Sequence, residues 1–118
     1  MKTLVLGASL NESRYSNKAI RLLKQYGHEV IAVGRDKGVV AEIHIQNSFP
    51  ENTHIDTITL YLNPGLQKAY YEDIWNARPR RIIFNPGTEN QELKEQALQK
   101  GILCEDACTL VLLNTNQY

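Results

Sequence analysis

The stretch Thr3-Leu4-Val5-Leu6-Gly7-Ala8-Ser9, continued by Leu10-Asn11-Glu12-Ser13-Arg14-Tyr15-Ser16, decides the fold of this chain. Leu4-Val5-Leu6 is a short apolar run stopped by glycine, as expected of a central parallel strand buried on both faces. A polar loop follows, then a helix-patterned segment to Tyr26 and a stop at Gly27. A second apolar run, Val30-Ile31-Ala32-Val33, ends in the basic turn Gly34-Arg35-Asp36-Lys37-Gly38. Strand, glycine turn, helix, strand is the nucleotide-binding half of a doubly wound fold. In such a unit the helix start gathers unpaired N–H groups and the positive end of the helix dipole, which suits a phosphate.

Outward from this unit, Tyr15, Ala19, Leu22, Leu23 and Tyr26 are spaced for one apolar helical stripe, with Ser13 or Ser16 expected to cap it. Val39-Val40-Ala41, then Ile43 and Ile45, read as a short, half-exposed edge strand. Residues 48–54 form a loop around Pro50 and Asn52. From Ile55 to Leu62 the residues alternate, Ile58, Leu60 and Leu62 against Thr57, Thr59 and Tyr61, which predicts a strand ending in Asn63-Pro64-Gly65. Leu66, Ala69, Tyr70, Ile74 and Ala77 make a second stripe, closed by Arg78-Pro79. Arg81-Ile82-Ile83-Phe84 is a strand that also ends in Asn-Pro-Gly, at Asn85-Pro86-Gly87. Thr88 and Gln91 have capping-box spacing for a third helix through Leu93, Ala97 and Leu98. Ile102–Cys104 and Leu110–Leu113 supply the last apolar stretches. The order predicts one α/β domain over residues 1–118: Rossmann-like, doubly wound, with a mainly parallel sheet of five to six strands and helices on both faces.

A chain of 118 residues supports one core. Thirteen basic and thirteen acidic residues cancel, so bulk charge gives nucleic acid no footprint. No apolar run reaches bilayer length or forms a signal-peptide core, and the expected location is the cytoplasm. Cys104 and Cys108, with three residues between them, have neither redox-pair nor zinc-site spacing and are read as reduced thiols.

The first loop has one glycine where a dinucleotide fingerprint has three. In their place stand Ala8, Ser9, Ser13 and Ser16, with Arg14 among them. Hydroxyls and a guanidinium bond phosphate oxygens directly, where glycine only admits the backbone. After the second strand, Arg35 and Lys37 flank Asp36. Two cations at that place suit a phosphorylated ribose, as in coenzyme A or NADP, better than a free diol. Each feature has a plainer reading, as an ordinary capped turn or a solvated charged one. His28, His44 and His54 have no metal-ligand spacing.

The ordered set Gly7-Ala8-Ser9, Arg14-Tyr15-Ser16, Gly27-His28-Glu29-Val30, Leu60-Tyr61-Leu62-Asn63-Pro64, Asn85-Pro86-Gly87-Thr88-Glu89-Asn90 and Glu105-Asp106-Ala107-Cys108-Thr109-Leu110-Val111 resembles the small, single-domain coenzyme A-binding protein family. That family is related to the coenzyme A-binding domain of the succinyl-coenzyme A synthetase alpha subunit. The resemblance runs from Lys2 to about Leu113. It implies a diphosphate near Gly7, Ser9, Arg14 and Ser16, and adenosine against Val33, Gly34, Arg35 and Lys37. The turns at Asn63-Pro64 and Asn85-Pro86-Gly87 would line the rest of the groove. Many relatives carry Asn-Pro where this chain has Gly34-Arg35. The synthetase's phosphorylated histidine lies in a following domain, and His28, His44 and His54 match no position of it.

The expected function is a binding module for coenzyme A or an acyl-coenzyme A, without catalysis of its own, serving as a carrier, a sensor or a component recruited by a protein partner. The alternative is a minimal enzyme, NADP-dependent or acyl-transferring, in which the groove also holds substrate. Glu89 lacks a second carboxylate to act with, and no activated nucleophile is visible.

Overall fold

The computed structural model describes all residues, Met1–Tyr118. Seven strands form one sheet: β1 (Lys2–Leu6), β2 (Glu29–Val33), β3 (Gly38–Val40), β4 (Ile43–Gln46), β5 (Thr57–Leu60), β6 (Arg81–Phe84) and β7 (Leu103–Asp106). Their spatial order is β3-β4-β2-β1-β5-β6-β7, and every pair is parallel except β3 with β4. The helices are α1 (Tyr15–Gln25), α2 (Pro64–Gln67), α3 (Tyr71–Ala77), α4 (Gln91–Gln99) and α5 (Thr109–Asn114), with a tight turn at Lys68–Tyr70 joining α2 to α3. The doubly wound Rossmann-like α/β fold is as the sequence implies.

Strand alternation sorts the core into two layers. Leu4, Leu6, Ile58, Leu60, Ile82 and Phe84 pack on one face with Ile74 of α3 and Leu93 and Ala97 of α4. Val5, Val30 and Ala32 pack on the other with Ile20 and Leu23 of α1 and Leu113 of α5. Central strands buried on both faces read as near-continuous apolar runs, and Leu4-Val5-Leu6 of β1 is one.

The sheet has more strands than the five or six expected, because the segment read as one edge strand is a hairpin. Ala41 (φ 50°) and Glu42 (φ 70°) both lie in the left-handed region that a two-residue turn of matching twist requires. Neither is a residue that favours it, so the turn carries backbone strain. Lys24 holds it from α1, donating to the Ala41 carbonyl (2.7 Å) and the Glu42 carboxylate (2.6 Å).

Two helix stripes are rotated from their expected phase. In α1, Ser16, Asn17, Ala19, Ile20 and Leu23 face inward, while Tyr15 (66% exposed) and Tyr26 (50%) face out. In α2, Gln67 is buried and Leu66 exposed. The caps differ too. Asn90, not Thr88, caps α4 by accepting from the Leu93 N–H (3.1 Å), and Thr88 instead donates to the Asn85 carbonyl. Arg14 occupies the α1 cap position, and neither Ser13 nor Ser16 bonds the helix start.

Candidate functional site at the strand reversal

The winding of the sheet reverses between β1 and β5, so the loops leaving the two strands diverge to opposite faces and leave a crevice at their carboxyl ends. Gly7 opens the first of these loops at φ 100°, a conformation that side chains rarely adopt. A Cβ there would also stand 3.0 Å from the Tyr61 carbonyl carbon across the crevice. The N–H groups of Gly7 and Ala8 both donate to the Val33 carbonyl, at 2.8 and 2.9 Å, which locks the turn to the end of β2.

Local polar bonds shape the rest of the loop. Ser9 Oγ accepts from the Asn11 N–H, and Asn11 Oδ1 accepts from both the N–H and the hydroxyl of Ser13. Asn17, 1% exposed, donates to the Ser9 carbonyl at 2.9 Å and accepts from Arg21 Nε. A buried amide inside a helix that reaches back to fix the glycine loop is a positioning residue. Its sequence signal is an asparagine within the apolar stripe of α1. The N–H groups of Tyr15, Ser16 and Asn17, at the first turn of α1, donate to nothing in the protein. Arg14 beside them is exposed and makes no ion pair or side-chain hydrogen bond. Ser16 is buried in the same turn.

At the end of β2, Val33 is fully buried and Gly34 donates to the Gln46 carbonyl. Arg35 is 93% exposed, with only Asp36 near its guanidinium at 3.9 Å. Lys37 is exposed and unpaired. Asn47 donates to the Arg35 carbonyl and steadies the turn. Leu10 reaches over from the first loop to cover Gly38, where a Cβ would meet its side chain at 2.5 Å.

The two Asn-Pro turns sit at the ends of β5 and β6, on the same edge. Asn63 caps α2 through the Leu66 N–H, with Pro64 as first helical residue. Asn85 turns inward. Its amide donates to Thr59 Oγ1 and the Leu60 carbonyl and accepts from the Thr109 N–H, tying β5, β6 and α5 together. Pro86 and Gly87 (φ 91°) form the exposed tip, with the Gly87 N–H on the Glu89 carboxylate. Tyr61 lies beside Thr59, Thr109 and Cys108, and burial pushes its phenol far above the ordinary tyrosine range, so it stays neutral. Its hydroxyl is buried without a hydrogen-bond partner.

The sequence-expected residues thus form one edge of the sheet. A cleft of about 520 Å³ lies elsewhere, between residues 49–53 and the end of α3. The cysteines are both free thiols, and burial raises the Cys104 pKa. His28 lies at the opposite edge, against Tyr118 and the Met1 amine. No helix is long and apolar enough to cross a membrane.

The fold recurs in solved structures. The crystal structure of an uncharacterized protein superposes with a TM-score of 0.95 at 46% identity, over 99% of this chain and 97% of the other. A Thermus thermophilus protein matches at TM-score 0.85 and 20% identity, over 99% and 90% of the two chains. A hypothetical protein from Pyrococcus horikoshii OT3 matches at 0.82 and 20%, over 95% and 81%. No curated protein matches this chain. The glycine turn locked to β2, the exposed cations that follow it and the paired turns are carried by a sequence whose residues 1–114 match one family throughout, and the chain belongs to it: the CoA binding domain family.

Proposed function

We propose that this protein binds coenzyme A or an acyl-coenzyme A and performs no catalysis of its own, the diphosphate lying at the turn from β1 into α1. The observation that carries the reading is the set of free N–H groups of Tyr15, Ser16 and Asn17, with the unpaired Arg14 beside them. Backbone donors at the start of an eleven-residue helix, with no acidic residue in its first turn, suit an anion. Family membership gives that anion its chemistry.

The adenosine end lies against Val33, Gly34, Arg35 and Lys37. The pantetheine arm crosses the turns at Asn63-Pro64 and Asn85-Pro86-Gly87. Asn85 shapes that wall from inside, since its side chain is consumed by the Thr59, Leu60 and Thr109 bonds. The plainest candidate for acid–base work, Glu89, spends its carboxylate on the Gly87 N–H.

A thermal-shift comparison of coenzyme A, acetyl-coenzyme A, NAD, NADP and ATP tests this. A ligand present at a hundred times its dissociation constant stabilises the native state by about 2.7 kcal/mol. Coenzyme A or its acetyl ester is expected to raise the melting temperature. A shift with NADP and none with either coenzyme A form would replace the binding module by an enzyme.

A further inference from the structure

The two Asn-Pro turns are joined by one buried side chain. Gln67 is 0% exposed, and its Nε2 donates to the carbonyls of Leu62 and Thr88, each at 2.8 Å. Its Oε1 accepts from Asn90 Nδ2 at 2.8 Å, and Asn90 also bonds Tyr71 and caps α4. Every polar atom of the amide is therefore used, and one residue fixes the peptide planes that follow β5 and β6.

In a trans peptide the C=O and the next N–H point to opposite sides of the chain. This chain has no cis peptide bond. Holding the Leu62 carbonyl inward therefore turns the Asn63 N–H away from Gln67, and holding the Thr88 carbonyl does the same for Glu89. Neither N–H donates to any group of the protein, and both residues are exposed at the carboxyl edge.

We infer that Gln67 is a positioning residue, which aims the Asn63 and Glu89 N–H groups at carbonyl oxygens of the ligand's pantetheine or acyl arm. The inference rests on the coenzyme A reading above and adds to it a pair of donors and the part of the ligand they take. An apolar residue of similar volume would leave the buried Thr88 carbonyl and the part-buried Leu62 carbonyl unpaired and free both planes to turn.

Coenzyme A and adenosine 3′,5′-bisphosphate, which lacks the arm, are titrated against the unmodified protein and against Gln67→Met. The substitution is expected to weaken coenzyme A about tenfold and leave the bisphosphate unchanged. In the unmodified protein, backbone amide NMR should show coenzyme A shifting the Asn63 and Glu89 resonances and the bisphosphate leaving them in place. That measurement stands even if Gln67→Met fails to fold. Equal weakening of both ligands, or coenzyme A bound with both amides silent, would overturn the inference and leave the coenzyme A reading intact. Failure of the unmodified protein to bind either ligand would overturn both.

Discussion

Gly34 approaches Ala8 so closely that a Cβ at position 34 would stand 2.3 Å from the Ala8 carbonyl oxygen. Its φ lies outside the left-handed region, so the requirement is one of space. The contact joins the end of β2 to the first turn, beside the two bonds that Val33 accepts from Gly7 and Ala8. The Ala8 backbone occupies the space that a side chain at position 34 would fill. Gly34→Ala should therefore cost about 1–3 kcal/mol, the usual range for forcing atoms into a packed site. It should also weaken coenzyme A by displacing the Ala8–Ser9 backbone. Urea unfolding checks the first claim; an unchanged midpoint would mean that the turn yields freely.

Arg14 is the one cation between Gly7 and Ser16, and it has no competing partner in the protein. Its replacement by alanine should weaken coenzyme A by about 1.5–3 kcal/mol, the range for a hydrogen bond to a charged group. Stability without ligand should not move, since no ion pair or side-chain hydrogen bond is lost. Titration calorimetry with parallel melting curves separates the two. Unaltered affinity would show that the helix N–H groups hold the diphosphate unaided.

The strands were legible because each one's faces follow the chain's own alternation: Ile58 and Leu60 inward to one layer, Thr57 and Thr59 to the other. What escaped depends on partners distant in sequence. Tyr15 and Tyr26 lie outside the α1 stripe because Ser16 and Asn17 point inward, Asn17 to hold the Ser9 carbonyl. Gln67 displaces Leu66 from the core for the same kind of reason: a polar side chain goes inside where unpaired carbonyls need it. The Ala41–Glu42 turn has no glycine or asparagine to announce it, and Lys24 reaches it from α1, so residues 39–45 read as one strand. For the site, glycines and charges were visible in the sequence, but the buried amides that orient them were not.

The His28 imidazole is held below the usual histidine range, first by burial, then by the Met1 amine and by Arg81. Its Nδ1 accepts from the amine at 3.3 Å, and its ring packs edge-on against Tyr118, whose own ring lies over the Arg81 guanidinium. Protonation would add a third positive charge there. Below about pH 6.5 the unfolded chain takes up a proton that the folded one resists, so stability should fall as pH drops through that point. The neutral His28→Gln variant should lose less stability than the unmodified protein between pH 7.5 and 5.5. Parallel slopes in denaturant titrations at the two pH values would sink this assignment.

Arg35 and Lys37 carry the sharpest ligand prediction. Both are exposed at the end of β2, where the ribose of a nucleotide in this fold falls, and only Asp36 neutralises part of their charge. The 3′-phosphate that separates coenzyme A from its dephospho form would sit between these two cations and gain charge-assisted hydrogen bonds. The site is wet, so the gain is limited and open to salt. Coenzyme A should bind about tenfold more tightly than dephospho-coenzyme A, near 1.4 kcal/mol. The preference should shrink at high salt and largely vanish in an Arg35→Ala, Lys37→Ala double variant, while dephospho-coenzyme A affinity stays level. Calorimetry of both ligands on both proteins decides it. Equal affinities for the unmodified protein would mean that the turn is merely solvated, and that the ribose lies at another part of the edge.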